Sequence, residues 1–187
     1  MSTDTRETIM QAARAAVQAH GYNALSFREL AKEVGIKSAS VHYHFPTKGD
    51  LAAALASQYT DEAAAFFDAL RASTQDHAQR MAAYTAVFRR ALENDNRMCL
   101  CGIMSAEYDD LPAAVRVQVD RFTAVNTRWL IEVLAERQPQ MKPKALESQA
   151  LAAFAAIEGA QLVARGRADL KSFDQIIAAY TAAGLFG

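Results

Sequence analysis

Apolar residues recur along this chain three and four positions apart, and short groups of turn formers separate the runs. Ile9, Ala12, Ala13, Ala16 and Val17 form the first stripe, behind Asp4 and Glu7, which are spaced as a capping box. His20-Gly21 ends it, glycine supplying a left-handed cap. Ser26 and Glu29 are a second capping box, opening a short helix that carries Phe27, Leu30, Ala31 and Val34 inward until Gly35 interrupts it. A third helix is predicted from about Ser38 to Phe45, where Pro46 must stop it. Thr47 and Asp50 then cap a much longer fourth helix reaching about Arg71.

Beyond that point the spacing predicts helices over about 75–94, 99–108, 112–137, 144–166 and 172–186, divided by "NDNR", "DDLP", "QPQMKP" and "GRADLKS". The pattern is all-α: three short helices, a long one, then a larger alanine-rich helical region. We place the domain boundary at the start of the fourth helix, giving 1–47 and 48–187. Alanine is abundant, and Gly and Pro are few, at 8 and 4. Both facts favour a compact helical chain over a disordered one.

Charge changes the picture locally. The formal net charge is −1, which offers no whole-chain argument for a nucleic-acid partner. Residues 1–48, however, carry six Lys/Arg against four Asp/Glu and three of the four histidines, whereas residues 49–110 carry five against ten. The N-terminal end therefore suits a local anionic partner. Cys99 and Cys101, two positions apart, make a poor disulfide framework and point to a reducing compartment. The polar opening is no signal peptide, and no apolar run approaches ~18 residues, so a cytoplasmic protein with no membrane span is expected.

Two short helices joined at a glycine suggest a helix-turn-helix. Ala31 is small where the helices cross, and Gly35 can take the positive φ of a tight turn. Leu30, Val34, Ile36, Val41 and Phe45 would lock the second helix to the first. Lys37, Ser38, Ala39, Ser40, His42, Tyr43 and His44 are left facing outward, small polar residues followed by hydrogen-bonding rings that suit a major groove.

The span Phe27 to Leu51 resembles the DNA-binding domain of the TetR family of bacterial transcription regulators. The turn glycine is Gly35, the small residues are Ser38-Ala39-Ser40, and the aromatic-Tyr-His-Phe and Lys pattern reads His42-Tyr43-His44-Phe45 and Lys48. Ser26, Arg28 and Leu30-Ala31 also match. The resemblance implies phosphate contacts from Ser26, Tyr43 and Lys48, positions near bases for Arg28, Ser38, Ala39 and His42, and His44 at the groove edge. His42 stands where an aromatic is usual.

The resemblance further implies a homodimer through the last two helices, reading double-stranded operator DNA and answering to a small-molecule effector. Leu146, Leu151, Ala155, Gly159 and Leu162 permit close helix approach there. In the central helices, Phe66, Phe67, Tyr84, Phe88, Met98, Met104, Phe122 and Trp129 are candidates to line an effector site, with Asn126, Glu107 or Gln161 orienting the ligand. Cys99 and Cys101 follow Arg97 at a predicted helix start, an arrangement that can activate a thiol. Release from the operator by a small molecule or by thiol modification is the expected regulation. The alternative is a small α-helical thiol-dependent enzyme using Cys99 or Cys101, which needs a base beside the thiol. His77, in "TQDHAQ", is not placed there by its neighbourhood, so no enzyme is expected. No cofactor or metal is expected either, because two cysteines alone fall short of a closed zinc site.

Overall fold

A computed structural model describes the backbone of residues 2–187 and the side chains of residues 5–187. Helix α1 covers Ser2–His20, α2 Phe27–Val34, α3 Ser38–His44, α4 Lys48–Ser73 and α5 His77–Glu93. Helix α6 is Leu100–Ser105, followed by a 3-10 turn at Tyr108–Asp110; α7 is Ala113–Arg137, α8 Pro143–Arg167 and α9 Leu170–Ala182. The described residues contain no strand. The capping pair expected at Asp4 and Glu7 involves the Asp4 side chain, which lies outside the described residues.

Local chemistry explains most of the boundaries. Gly21 takes φ 85 at the end of α1. Asp76 caps α5 through the Gln79 N–H at 2.8 Å. Asp169 accepts from the Lys171 N–H and starts α9 at Leu170, two residues before the expected 172. Gly184, at φ 73, follows its end, four residues short of the expected 186. The helix expected over 99–108 is only six residues long. Leu111 before Pro112 is extended, as a residue preceding proline must be.

The chain forms two compact units, Met1–Asp61 with Leu100–Phe122, and Glu62–Cys99 with Thr123–Gly187. In the first unit α1 packs on α2 and α6, and α2 packs on α3. Ile9, Ala13, Val17, Leu30, Ala31, Val41, Phe45, Leu51 and Leu55 are buried there, the pattern the sequence spacing predicts. Of the α1 stripe, Ala12 and Ala16 lie at its half-buried margin.

In the second unit α8 packs on α9 and on α5, and α5 on α9. Its core includes a group of rings: Phe67 stacks on Trp129 at 5.0 Å between centroids, Tyr84 lies 4.9 Å from Trp129, and Phe88 5.5 Å from Tyr84. Arg80 is buried, yet fully engaged: it pairs with Glu136 and donates to the Thr74 carbonyl at 2.8 Å and to Gln75 at 3.0 Å. No helix among the described residues is long and apolar enough to cross a membrane.

Candidate nucleic-acid interface

The turn between α2 and α3 is built by its caps. Ser26 is extended and accepts from the Glu29 N–H, opening α2. Gly35, at φ 75, closes it by donating to the Ala31 and Lys32 carbonyls, and the Ile36 N–H returns to Ala31 O at 2.9 Å. A left-handed residue followed by these bonds reverses the chain in two residues, so α3 starts at Ser38. Val41, fully buried, and Phe45, nearly so, anchor α3 from beneath. Thr47 and Asp50 then cap α4 reciprocally, with Thr47 N–H to Asp50 Oδ2 at 3.0 Å and Asp50 N–H to Thr47 Oγ1 at 3.1 Å.

These constraints leave one face of α3 open. Lys37, Ser38, Ala39, His42 and Tyr43 are exposed, Tyr43 at 81%, and Arg28 of α2 is exposed beside them in sequence register. Ser40 and His44 are half-buried, as are Ser26 and Lys48. The His42 ring stands edge-on to Phe27 at 4.8 Å, and its Nδ1 donates to the Pro46 carbonyl at 3.4 Å. With Nδ1 donating, Nε2 of the neutral ring is an acceptor. Tyr43 and His44 meet edge to face at 5.2 Å.

Lys48 is not directed outward. Its Nζ donates to Asn23 O at 3.1 Å and lies 4.3 Å over the Tyr22 ring. Partial burial pulls its pKa below the ordinary lysine value, and the Glu107 carboxylate opposes that shift. Glu107 is the keystone of this corner. It accepts from the Tyr22 N–H and, at 3.2 Å, from the Asn23 N–H, while Asn23 Nδ2 donates to Asp110 at 2.8 Å. Sequence reading placed Glu107 among ligand-orienting groups; here its carboxylate holds the loop between α1 and α2. Tyr22, Asn23 and Asp110 carried no signal for this role, because the contacts close across 84 to 87 positions.

Residues 9–55 match the family model of bacterial regulatory proteins of the tetR family. The solved structure of a TetR transcriptional regulator from Legionella pneumophila is 29% identical, over 95% of this chain and 95% of that one, with a TM-score of 0.87. A TetR-family transcriptional regulator from Agrobacterium tumefaciens is also 29% identical, over 94% and 95%, with a TM-score of 0.88. The chain belongs to the TetR family. The reduced form of Escherichia coli NemR, 20% identical over 94% of each chain with a TM-score of 0.79, shares the fold. No curated protein sequence matches the chain. This TetR-family protein is thus a helix-turn-helix regulator of transcription, and the relatives it resembles at 29% identity are described as regulators rather than enzymes.

The candidate sensor residues of this TetR-family chain fall into different settings. Phe88, Asn126 and Trp129 join the second unit's ring group, where Tyr84 OH donates to Asn126 Oδ1 at 3.0 Å. Phe66 is half-buried and touches Phe67. Phe122 packs instead on Tyr59 in the first unit, at 5.3 Å. Gln161 accepts from the Cys99 N–H at 2.8 Å and donates to Phe88 O at 2.7 Å.

Both cysteines are buried. The ionisable group bonded to the Cys99 thiol is Glu158, whose pKa burial pushes up to about 7. Arg97, expected to activate the thiols, pairs with Asp95 at 3.3 Å. A reactive thiolate sits in a partly exposed setting, and neither thiol is exposed. His77, the base an enzyme reading would need, bonds to the Phe186 carbonyl.

Proposed function

We propose that the chain is a homodimeric repressor whose operator contacts come from the 1–47 domain and from Lys48 at the start of α4, while 48–187 otherwise supplies dimerisation and effector binding. The observation that carries the reading is the open face of α3, where small residues and Tyr43 stand clear of a helix pinned from below by Val41 and Phe45. Ser26, Tyr43 and Lys48 contact phosphates, and Arg28, Ser38, Ala39 and His42 face base edges. Lys37, Ser40 and His44 border the groove. His42, donating through Nδ1 to Pro46, offers Nε2 as an acceptor, which suits an adenine or cytosine amino group. Lys48 reaches a phosphate by giving up Asn23 O and the Tyr22 ring.

The homodimer is supported by an unpartnered stripe on α8. Leu151, Ala155, Gly159 and Leu162 are all exposed at helical spacing, and Val163 beside them and Tyr180 of α9 add further exposed apolar surface. A Cβ at Gly159 meets nothing within 4 Å, so the stripe has room for a helix of a second copy. Leu146, grouped with these by sequence, is buried in its own chain. Two copies present two recognition helices to half-sites about 34–36 Å apart. Release follows when a small-molecule effector binds the DNA-incompetent state more tightly. The burial of both thiols favours such a ligand over thiol modification as the trigger. The protein acts on DNA in the cytoplasm.

Electrophoretic shift of DNA fragments selected by the purified protein, repeated over a salt series, tests the reading. Affinity falls steeply as salt rises. Lys48→Ala lowers the logarithmic salt slope by about 0.9 for each phosphate it leaves unneutralised, or about 1.8 across a dimer. A flat salt response, or no selected DNA at all, overturns it.

A further inference from the structure

Three buried polar atoms in the second unit have no hydrogen-bond partner among the described residues: Arg97 Nε and Trp129 Nε1, both donors, and Glu158 Oε1, an acceptor. Trp129 and Glu158 are the two whose side chains border the Tyr84 ring group. Although the Glu158 residue is partly exposed as a whole, Oε1 itself is shut off from solvent. The Tyr84 ring lies 4.9 Å from that of Trp129, and the Glu158 charge acts on the Tyr84 hydroxyl.

The groups around them are already committed. Tyr84 donates to Asn126, and Gln161 spends its amide on the Cys99 N–H and the Phe88 carbonyl. Burial raises the Glu158 pKa to about 7, opposed only by the bond to the Cys99 thiol; no Lys or Arg charge compensates it. A buried carboxyl oxygen and a buried indole N–H left unpaired are costly within a folded chain, and such pairs of unmet groups are what a ligand's polar atoms satisfy.

We propose that Glu158 and Trp129 are the polar anchors of the effector site, and that the effector is an amine. Its ammonium group pairs with Glu158, an oxygen accepts from Trp129 Nε1, and its apolar body lies against the rings of Tyr84, Phe88 and Phe154. A cation supplies the charge this carboxylate lacks and gains from the ring faces around it. An anion is repelled there, and a neutral molecule leaves Glu158 unpaired. The inference rests on the reading that this unit holds the effector site.

Trp129 is the chain's single tryptophan, so its fluorescence reports on this site alone. Phenoxyethylamine, phenoxyethanol and phenoxyacetate share one ring and one ether oxygen and differ in charge. Titrated without DNA, the amine gives a saturable change in Trp129 emission. The alcohol binds roughly tenfold to a hundredfold more weakly and the carboxylate more weakly still; Glu158→Gln brings the amine down to the alcohol's level. Circular-dichroism melting establishes that the variant folds, and the three ligands compared on the unaltered chain decide the matter if it does not. Equal or tighter binding of alcohol or carboxylate, an amine affinity untouched by Glu158→Gln, or no response to the amine overturns the proposal. Operator binding without an amine response leaves the repressor reading standing and this inference wrong; an amine response without operator binding does the reverse.

Discussion

Glu107 and Gly21 form a test of how the first unit is held together, because the glycine is required by the carboxylate as well as by the turn. Removing Glu107 as alanine strips the acceptor from two backbone N–H groups. Hydrogen bonds to a charged group contribute about 1.5–3 kcal/mol each. The Asn23 bond is exposed and 3.2 Å long, so it counts for less. Glu107→Ala therefore costs about 2–3 kcal/mol. In Gly21→Ala, φ 85 imposes about 1–2 kcal/mol of left-handed strain. The new Cβ also falls 2.5 Å from Glu107 Oε2 and 2.8 Å from its Cδ, so the carboxylate is displaced and most of its bonding is lost again.

The singles then sum to about 5–8 kcal/mol, while the double variant loses the carboxylate only once, about 3–5 kcal/mol. A coupling of roughly 2 kcal/mol remains. Urea unfolding at one fixed protein concentration measures all four corners, with Asp68→Ala as an exposed control expected within about 0.5 kcal/mol of the parent. In a chain of this length Glu107→Ala lowers Tm by about 4–12 °C. Additivity within about 0.5 kcal/mol refutes the argument, since it means that the glycine and the carboxylate do not share the space.

Gly35→Ala separates the two contributions. Its φ is 75 but nothing lies within 4 Å of the added Cβ, so the cost is strain alone, about 1–2 kcal/mol, and a larger loss on thermal unfolding contradicts that geometry. Leu162→Glu places a charge on the exposed α8 stripe; sedimentation finds a monomer in place of a dimer, and an unchanged mass moves the interface elsewhere. Glu158 has a folded-state pKa raised from 4.5 to about 7, so the folded chain holds a proton that the unfolded chain has released, and its contribution to stability falls as pH rises from 4.5 through about 7. At about 1.4 kcal/mol per pH decade that is roughly 3 kcal/mol, so Glu158→Gln gains about this much against the parent between pH 4.5 and about pH 8. Parallel stability profiles exclude an ionising buried carboxyl. Glu136 runs the other way: bonded to Arg80, its pKa is lowered, so it stabilises above the usual carboxylate range and loses that contribution as pH falls below it; Glu136→Gln flattens the acid side of the profile.

What the sequence made legible is what closes within four residues. Ser26 with Glu29, Thr47 with Asp50, Gly35 at its turn and Pro46 after α3 each satisfy or limit backbone groups next to them, so spacing alone places the helix-turn-helix and its outward face. Asn126, Trp129 and Phe122 are all candidates for the effector site by sequence, and Asn126 and Trp129 do join the ring group. The ring of Phe122 packs instead on Tyr59, because residue type names a core position and not the partner that covers it. Glu107 shows the limit more sharply. A carboxylate at a helix end reads locally as solvated or as a ligand group, and nothing within four residues tells that it is met by N–H groups 84 and 85 positions earlier. Glu158 escaped notice for the same reason in reverse. On an alanine-rich helix it reads as a solvated charge, and only packing reveals that one of its oxygens is sealed with nothing to accept. The residues proposed to contact DNA lie where local rules operate, since an exposed helix face is defined by its own caps. The residues proposed to hold the effector lie in a core, where chemistry is set by which distant groups arrive and which do not.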